Sequence, residues 1–551
     1  MYRQTAHKVS RLLRLSPRNV TAVRCFSWTV ANKFCYSSPR LSLEINNDTE
    51  IKSPTIYALS TPPGKSAISV IRVTGPGCKY IFKKLTKRSE APKPRSITYS
   101  AIYEPNLPKS TANILDHAVI LYFQSPKSYT GEDIIELQLH GGNAIVKSVL
   151  NALMKTHNPE QGYFVRYAEA GEFSKRAFQN GVLDLTQVEG IRDSIDAETE
   201  TQRKAAMAPA SGRMKIMYDD WRKQIVDTMA LLTALIDFSE DSDITSAKEL
   251  FNQSRGKVNK LLGEIKDHYK VIKRSELLVS GIRLDFLGPP NAGKSYLLNR
   301  LAERDAAIVS DVPGTTRDVL ELSMDISGYK VVLGDTAGLR SVSRKGGLVV
   351  KESTDDLNYK IELEGMKRAK QRFKNSDIVL CILPLSQDPT SVSISPDVLA
   401  EIKDLQNLDK RIIVALNKED LVDSAVSLED VKAAYANTLQ VPKDDILSVS
   451  CLTEKGITDL VQKLVSNFEN MTIDTSSQGY PIGASQRTKD ILQNEVVAGL
   501  EGFLAIDDET EVVIATEELR FAAEGIGKIT GQGVGVEEVL GVVFSSFCIG
   551  K

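Results

Sequence analysis

Two short apolar and β-branched runs, Thr55 to Leu59 and Ala67 to Val73, flank the turn Thr61-Pro62-Pro63-Gly64. Further strand-like runs follow at Ala118 to Phe123 and Ile134 to Leu139, with helical stretches between, so residues 53–175 are expected to form a small α+β domain. From Glu172 the pattern changes. Glycine thins out, and 3.6-residue periodicity over Trp221 to Phe238 and Val258 to Ile272 predicts long amphipathic helices. Between 281 and 470 strands alternate with helices in the manner of a parallel sheet. Helical patterns return after Gly479, over Gln486 to Phe503 and Glu517 to Ile529. The order predicts an α/β domain, 280–472, inserted into an all-helical one made of 176–279 and 480–551. Two independent helical pieces are the other reading.

Charge adds one feature to this picture. The net charge of −2 conceals a first segment, residues 1–43, that has no Asp or Glu. It carries eight of the 69 Lys and Arg, which leaves 61 basic against 71 acidic residues elsewhere. An acid-free start rich in Arg and Ser, with Leu12, Leu13 and Leu15 among the charges, has the composition of a mitochondrial transit peptide, expected over 1–36. A disordered basic tail has the same composition. The acidic remainder would meet RNA through a local basic patch rather than its global field. No run of about 18 uncharged apolar residues reads as a membrane span. Six cysteines without a Cys-x-x-Cys pair make neither a disulfide framework nor a zinc site.

The chemistry is most legible in the inserted domain. A strand-like Ile282 to Leu287 runs into Gly288-Pro289-Pro290-Asn291-Ala292-Gly293-Lys294-Ser295, followed by a helical pattern over Tyr296 to Leu301. This is G-x-x-x-x-G-K-S. Its glycines let backbone N–H groups approach phosphates, Lys294 reaches the β- and γ-phosphates, and the Ser295 hydroxyl can ligate Mg²⁺. Three further motifs follow in order. Gly314-Thr315-Thr316-Arg317 offers a hydroxyl to the metal, and Asp335-Thr336-Ala337-Gly338 stands at a strand end where Mg²⁺ and the γ-phosphate are sensed. Asn417-Lys418-Glu419-Asp420 ends the apolar run Ile412 to Leu416, and its Asp420 carboxylate can accept both N1–H and the 2-amino hydrogens of guanine. Ser450-Cys451 falls where a base-contacting loop belongs. Together these predict a GTPase. Leu339 occupies the place where Ras-like enzymes put a water-orienting Gln, so another group must do that work. Asn291 either ligates a monovalent cation between phosphates, in place of an arginine finger, or hydrogen-bonds its own loop.

With Pro-Asn-Ala-Gly-Lys-Ser and Gly-Thr-Thr-Arg-Asp in its G domain, the chain resembles the tRNA-modification GTPase family MnmE (TrmE). Segments outside the G domain agree: Thr61 to Gly64, Ser128-Tyr129-Thr130-Gly131-Glu132-Asp133 through His140-Gly141-Gly142, Gly171-Glu172-Phe173-Ser174 with Arg176-Ala177-Phe178, and the end Phe544 to Lys551. The resemblance covers about 53–551 and, with the leader, points to the mitochondrial form. It implies a multidomain fold with an α+β folate-binding N-terminal domain and an all-α domain interrupted by a Ras-like P-loop GTPase domain. It also implies a homodimer joined through the N-terminal domain. An FAD-dependent MnmG-type subunit would complete a heterotetramer that modifies C5 of the wobble uridine of mitochondrial tRNA. The implied cofactors are GTP, Mg²⁺, K⁺ and 5-formyl- or methylene-tetrahydrofolate. The potassium ligands would be Asn291 with Ser310, Val312 and Thr315, the Mg²⁺ ligands Ser295 and Thr316. Nucleotide contacts would come from Asn291 to Tyr296 (through Ala292, Gly293, Lys294 and Ser295), Ser310, Thr315, Thr316, Asp335, Thr336, Ala337, Gly338, Asn417, Lys418 and Asp420. Folate contacts would come from Arg72, Glu136 and Lys551.

Three positions depart from the family pattern. A polar stretch, Ser341 to Tyr359, intervenes after Asp-Thr-Ala-Gly-Leu-Arg, so the water-orienting role falls on Glu362, with Glu364 or a merely exposed glutamate as alternatives. Val182 stands where the family has a folate-side Lys. Lys65-Ser66-Ala67-Ile68 replaces the usual Gly-rich continuation of Pro-Pro-Gly. Cys548 is a candidate nucleophile and also reads as a buried structural thiol. A GTP-driven RNA or ribosome assembly factor without modification chemistry is the competing function.

Overall fold

The computed structural model describes residues 53–238, 244–305, 322–333, 373, 375–385, 392, 394–408, 410–423, 427–472, 482–507, 511–532 and 550. The first 52 residues, where the leader is expected, lie outside this set.

The N-terminal domain runs β1 (Thr55–Leu59), β2 (Ile68–Thr74), α1 (Cys78–Thr86), β3 (Ile97–Tyr103), β4 (Ile114–Phe123), β5 (Ile134–His140), α2 (Asn143–Met154) and β6 (Val165–Tyr167). Its sheet has the order β3-β4-β5-β2-β1-β6, antiparallel except for β1 with β6. The period-2 pattern explains its two faces. Ile71, Val73, Leu137 and Leu139 point into a core with Ile81, Phe82 and Leu85 of α1 and Val149 and Leu153 of α2. Opposite them, Arg72 and Glu136 stand across from each other in register on the other face.

Next come α3 (Glu172–Gln179), α4 (Leu185–Asp196), α5 (Glu200–Ala210), α6 (Arg213–Phe238) and the 37-residue α7 (Ile244–Ser280). Phe173 of α3 packs on Ile56 and Ala58 of β1. Asp184 and Thr199 start α4 and α5 with capping boxes closed by Gln187 and Gln202, which satisfy N–H groups that a helix start leaves bare.

The inserted domain runs β7 (Ile282–Leu287), α8 (Lys294–Asp305), β8 (Leu322–Ile326), β9 (Tyr329–Leu333), β10 (Ile378–Pro384), α9 (Pro396–Asn407), β11 (Arg411–Asn417), α10 (Leu428–Leu439), β12 (Ile446–Val449) and α11 (Ile457–Thr472). Its sheet order is β12-β11-β10-β7-β9-β8. The expectation of a parallel sheet needs one correction: β8 and β9 are antiparallel. Only two residues join them, Ser327 and Gly328, both at positive φ (50° and 90°), and so short a link can build only a hairpin. Buried residues of α8 and α11 cover one sheet face, those of α9 and α10 the other.

The chain then returns to the helical domain with α12 (Gln486–Ile491), a π-helical turn (Leu492–Val497), α13 (Ala498–Ala505) and α14 (Val512–Thr530). One core joins Tyr218, Trp221 and Ile225 of α6, Val258, Leu261 and Ile265 of α7, Val496 and Leu500, and Leu519 and Ile526 of α14. Segments before and after the inserted domain thus bury the same apolar surface. The architecture is an α+β N-terminal domain followed by an all-α domain interrupted by a P-loop α/β domain.

Candidate functional site

Strand β7 is interior, hydrogen-bonded to β10 and β9, and delivers the P-loop at its C-terminal end. Gly288 (φ +149°) and Gly293 (φ +99°) are forced choices. A Cβ on the first would stand 2.1 Å from the Ile382 carbonyl oxygen, and one on the second 2.1 Å from Asn417 Nδ2. Asn291 adopts a left-handed conformation (φ +59°), and no hydrogen bond ties its amide to the loop among the described residues. Lys294 Nζ donates to the carbonyls of Gly288 (2.5 Å) and Pro289 (3.1 Å), and burial pulls its amine below the usual lysine range. Ser295 follows in the first turn of α8, where unpaired N–H groups and the helix dipole favour an anion. Tyr296 is exposed, with the Arg300 guanidinium 5.4 Å from its ring centre.

The end of β11 supplies the second half of the site. Asn417 is buried, and its Nδ2 donates to the Ala292 carbonyl at 2.8 Å while its Oδ1 accepts from Cys451 N–H at 3.3 Å. Lys418 takes a left-handed turn (φ +70°) into the 3-10 turn that carries Asp420. Ser450 Oγ donates to Asp420 Oδ1 at 2.5 Å and accepts from Thr453 N–H at 3.2 Å. P-loop, Asn-Lys-Glu-Asp segment and Ser-Cys segment are therefore locked together through Asn417 and Ser450. Sequence spacing located Ser450 but not its work of aiming the Asp420 carboxylate.

A second cluster lies in the N-terminal domain. Arg72 pairs with Glu136 through Nε at 3.0 Å, and its guanidinium sits 5.3 Å from the Tyr129 ring centre and 5.8 Å from that of Phe173. Tyr129 and Phe173 come from motifs that the sequence singled out without giving these two side chains a role. Behind them Arg176 bridges Glu132 (3.0 Å) and Glu172 (3.1 Å), and Arg166 meets Glu172 at 2.7 Å. Burial opposes the Glu172 charge, but the two arginines outweigh it and hold the carboxyl below its usual range. Val182 is exposed and flanks Gly131. Ser60 Oγ donates to the Gly550 carbonyl at 2.9 Å. Since Leu59 pairs with Ile71, the chain's penultimate residue abuts the strands that carry Arg72.

The three described cysteines are buried; burial pushes Cys78 up, Cys381 to about 12 and Cys451 to about 11, so none is a thiolate at neutral pH. Ser310, Val312, Thr315, Thr316, Asp335, Thr336, Ala337, Gly338, Glu362, Glu364, Cys548 and Lys551 lie outside the described residues. Among the described residues no helix is long and apolar enough to cross a membrane.

The family model described as the MnmE helical domain matches residues 185–548, across the inserted domain, and that of the GTP-binding protein TrmE N-terminus matches residues 55–182. The mitochondrial tRNA modification GTPase MSS1 of Saccharomyces cerevisiae is 43% identical over 516 residues, covering 91% of this chain and 94% of its own. The mitochondrial tRNA modification GTPase gtpbp3 of Dictyostelium discoideum is 36% identical over 547 residues, 96% of this chain and 99% of that one. MnmE of Rickettsia rickettsii is 37% identical over 500 residues, covering 90% of this chain and 100% of its own. With a P-loop, an Asn-Lys-Glu-Asp segment tied to it and both flanking domains in place, the chain belongs to the MnmE (TrmE) family of tRNA modification GTPases.

Proposed function

We propose that this chain is a mitochondrial, potassium-stimulated GTP hydrolase that acts with an FAD-dependent MnmG-type partner, in a heterotetramer built on its own homodimer, to modify C5 of the wobble uridine of mitochondrial tRNA. The observation that carries the reading is the Asn417–Ala292 and Ser450–Asp420 lock, which joins a phosphate-binding loop to a guanine-selective carboxylate.

In that site Lys294 and the N-terminal amides of α8 take the phosphate charge, and Asp420 accepts the base's N1–H and amino hydrogens. The donors are hard oxygens and fit hard cations. Ser295, with Thr316, would hold Mg²⁺, which supplies charge neutralisation at the β- and γ-phosphates. The exposed, left-handed Asn291 would hold K⁺ together with Ser310, Val312 and Thr315, and that ion supplies the positive charge an arginine finger would otherwise bring. Glu362 orients the attacking water.

The Arg72–Glu136 pair, walled by the Tyr129 and Phe173 rings, fits a flat heterocycle bearing both hydrogen-bond donors and acceptors, as in 5-formyl- or methylene-tetrahydrofolate. Bound there, such a folate would supply the one-carbon unit. Val182 offers no charge to a glutamyl carboxylate, which leaves Arg72 and Lys551 as the cations for it. Gly550, which accepts a hydrogen bond from Ser60, lies beside the strand pair that carries Arg72. A bare assembly factor would need the G domain alone and gives no reason for this second cluster. Purified protein should hydrolyse GTP and not ATP, faster in K⁺ than in Na⁺, because sodium is too small for a site of neutral oxygens at flexible distances. Asn291→Ala should remove the difference between the salts while GTP still binds through Lys294 and the backbone. Equal turnover in the two salts would refute the cation assignment.

A further inference from the structure

The β8–β9 hairpin joins the two motifs that face the γ-phosphate in this reading: β8 begins shortly after Gly314-Thr315-Thr316-Arg317, and β9 ends two residues before Asp335. Its tip is a two-residue turn, with Ser327 and Gly328 at positive φ and Asp325 Oδ1 accepting from Gly328 N–H at 2.6 Å. That tip is bonded to the helical domain. The Gly328 carbonyl accepts from Thr201 N–H at 3.2 Å and from Thr201 Oγ1 at 2.6 Å. Two residues on, Lys330 Nζ meets Glu198 Oε2 at 2.8 Å.

Thr201 lies in the first turn of α5, whose N–H groups have no partner within the helix. The hairpin carbonyl satisfies one of them, so withdrawing the hairpin leaves a bare donor at the helix start. The anchor is itself fixed. Gln202 Oε1 accepts from Thr199 N–H at 3.1 Å and Glu198 N–H at 2.8 Å, and Ala205 of α5 is part of the inserted domain's core. Beside the Lys330–Glu198 pair a cleft of about 440 Å³, lined by Arg192, Asp193, Asp196 and Val279 among others, gives the pair room to separate.

We propose that this contact is a latch through which the nucleotide state reaches the helical domain: movement of the two phosphate-facing motifs displaces the hairpin and is felt at Thr201 and Glu198. The proposal rests on the GTP-hydrolase reading above. Coupling of this kind is reciprocal, so nucleotide must alter α5, and loosening the latch must alter the preference between nucleotides.

Hydrogen–deuterium exchange of the full chain with GDP and with a non-hydrolysable GTP analogue should show different protection over residues 200–210. In a Thr201→Val/Lys330→Ala variant the ratio of GTP-analogue to GDP affinity should shift at least about fivefold, the lower end of typical coupling. Thr201→Ser with Lys330 intact should keep the original ratio. A latch that only glues two domains would lower the melting temperature and leave the ratio alone. Equal α5 protection with both nucleotides, or a ratio unchanged within about twofold while both nucleotides bind, overturns the latch alone. Failure of the unmodified chain to bind GTP overturns the hydrolase reading and the latch with it.

Discussion

Replacing Asp420 by Asn should change which base the site accepts. Ser450 Oγ donates to Asp420 Oδ1, and the asparagine can keep that bond only by leaving its carbonyl oxygen there. Its amide NH₂ then takes the place of the second carboxylate oxygen. Guanine presents N1–H and amino hydrogens to this position, so a donor meets donors; xanthine presents a carbonyl where guanine has its amino group. Loss of one hydrogen bond to a charged acceptor, with a donor left facing a donor in its place, should cost about 2–4 kcal/mol. That is roughly 30- to 1,000-fold in GTP affinity. Xanthosine triphosphate should gain much of what GTP loses. Titration of the purified variant with fluorescent analogues of both nucleotides, at fixed Mg²⁺ and K⁺, measures the two shifts together. Ser450→Ala serves as the control: it frees the carboxylate without changing its chemistry, so GTP should weaken by about 1 kcal/mol with no gain for the xanthine nucleotide. Unchanged GTP affinity in Asp420→Asn would refute the assignment of Asp420 as the guanine reader.

The remaining predictions concern catalysis, pH and targeting. Glu362→Ala should slow GTP hydrolysis in both K⁺ and Na⁺ while nucleotide affinity is retained; full turnover in that variant would move the water-orienting role to Glu364 or elsewhere. Burial against Tyr218 and Trp221 pulls His268 down to about 4, below its ordinary 6.5, so the unfolded chain binds the extra proton first. His268 therefore adds stability that is whole above pH 6.5 and lost as pH falls toward 4, about 3 kcal/mol in all. Urea unfolding followed by tryptophan fluorescence should show that slope, since Trp221 lies 5.2 Å from the His268 ring, and His268→Gln should flatten it; equal slopes would contradict the reasoning. Deleting residues 1–36 should leave GTPase activity intact and abolish mitochondrial import, and normal import of the truncated protein would refute the leader assignment.

What could be read from the sequence follows from how local each feature is. The P-loop and the Asn-Lys-Glu-Asp segment were legible because each is a run of fixed residue types at short, fixed spacing. Strand β1 shows as a β-branched run because four of its five positions are buried. Strand β3 left no such trace: it lies at the sheet edge with Ile97 and Tyr99 exposed and Ser100 buried, so its polarity pattern points the wrong way. The π-helical turn at Leu492–Val497 lies inside what periodicity reads as one helix from Gln486 to Phe503, and 3.6-residue counting cannot separate the two. The hold of Ser450 on Asp420, the two rings around Arg72 and the Thr201–Gly328 latch join residues 30 to more than 120 positions apart. Such partners are set by tertiary packing, and nothing in local spacing marks them.

In the function proposed above, GTP hydrolysis by this chain serves modification of the wobble uridine. Mass spectrometry of mitochondrial tRNA nucleosides from cells lacking the protein, compared with the same cells carrying the intact chain or Asp420→Asn, tests it most directly. Wobble uridines should lack their C5 aminomethyl-type group in the deletion and in Asp420→Asn, and modification should return with the intact chain. Fully modified wobble uridines in cells lacking the protein would contradict it.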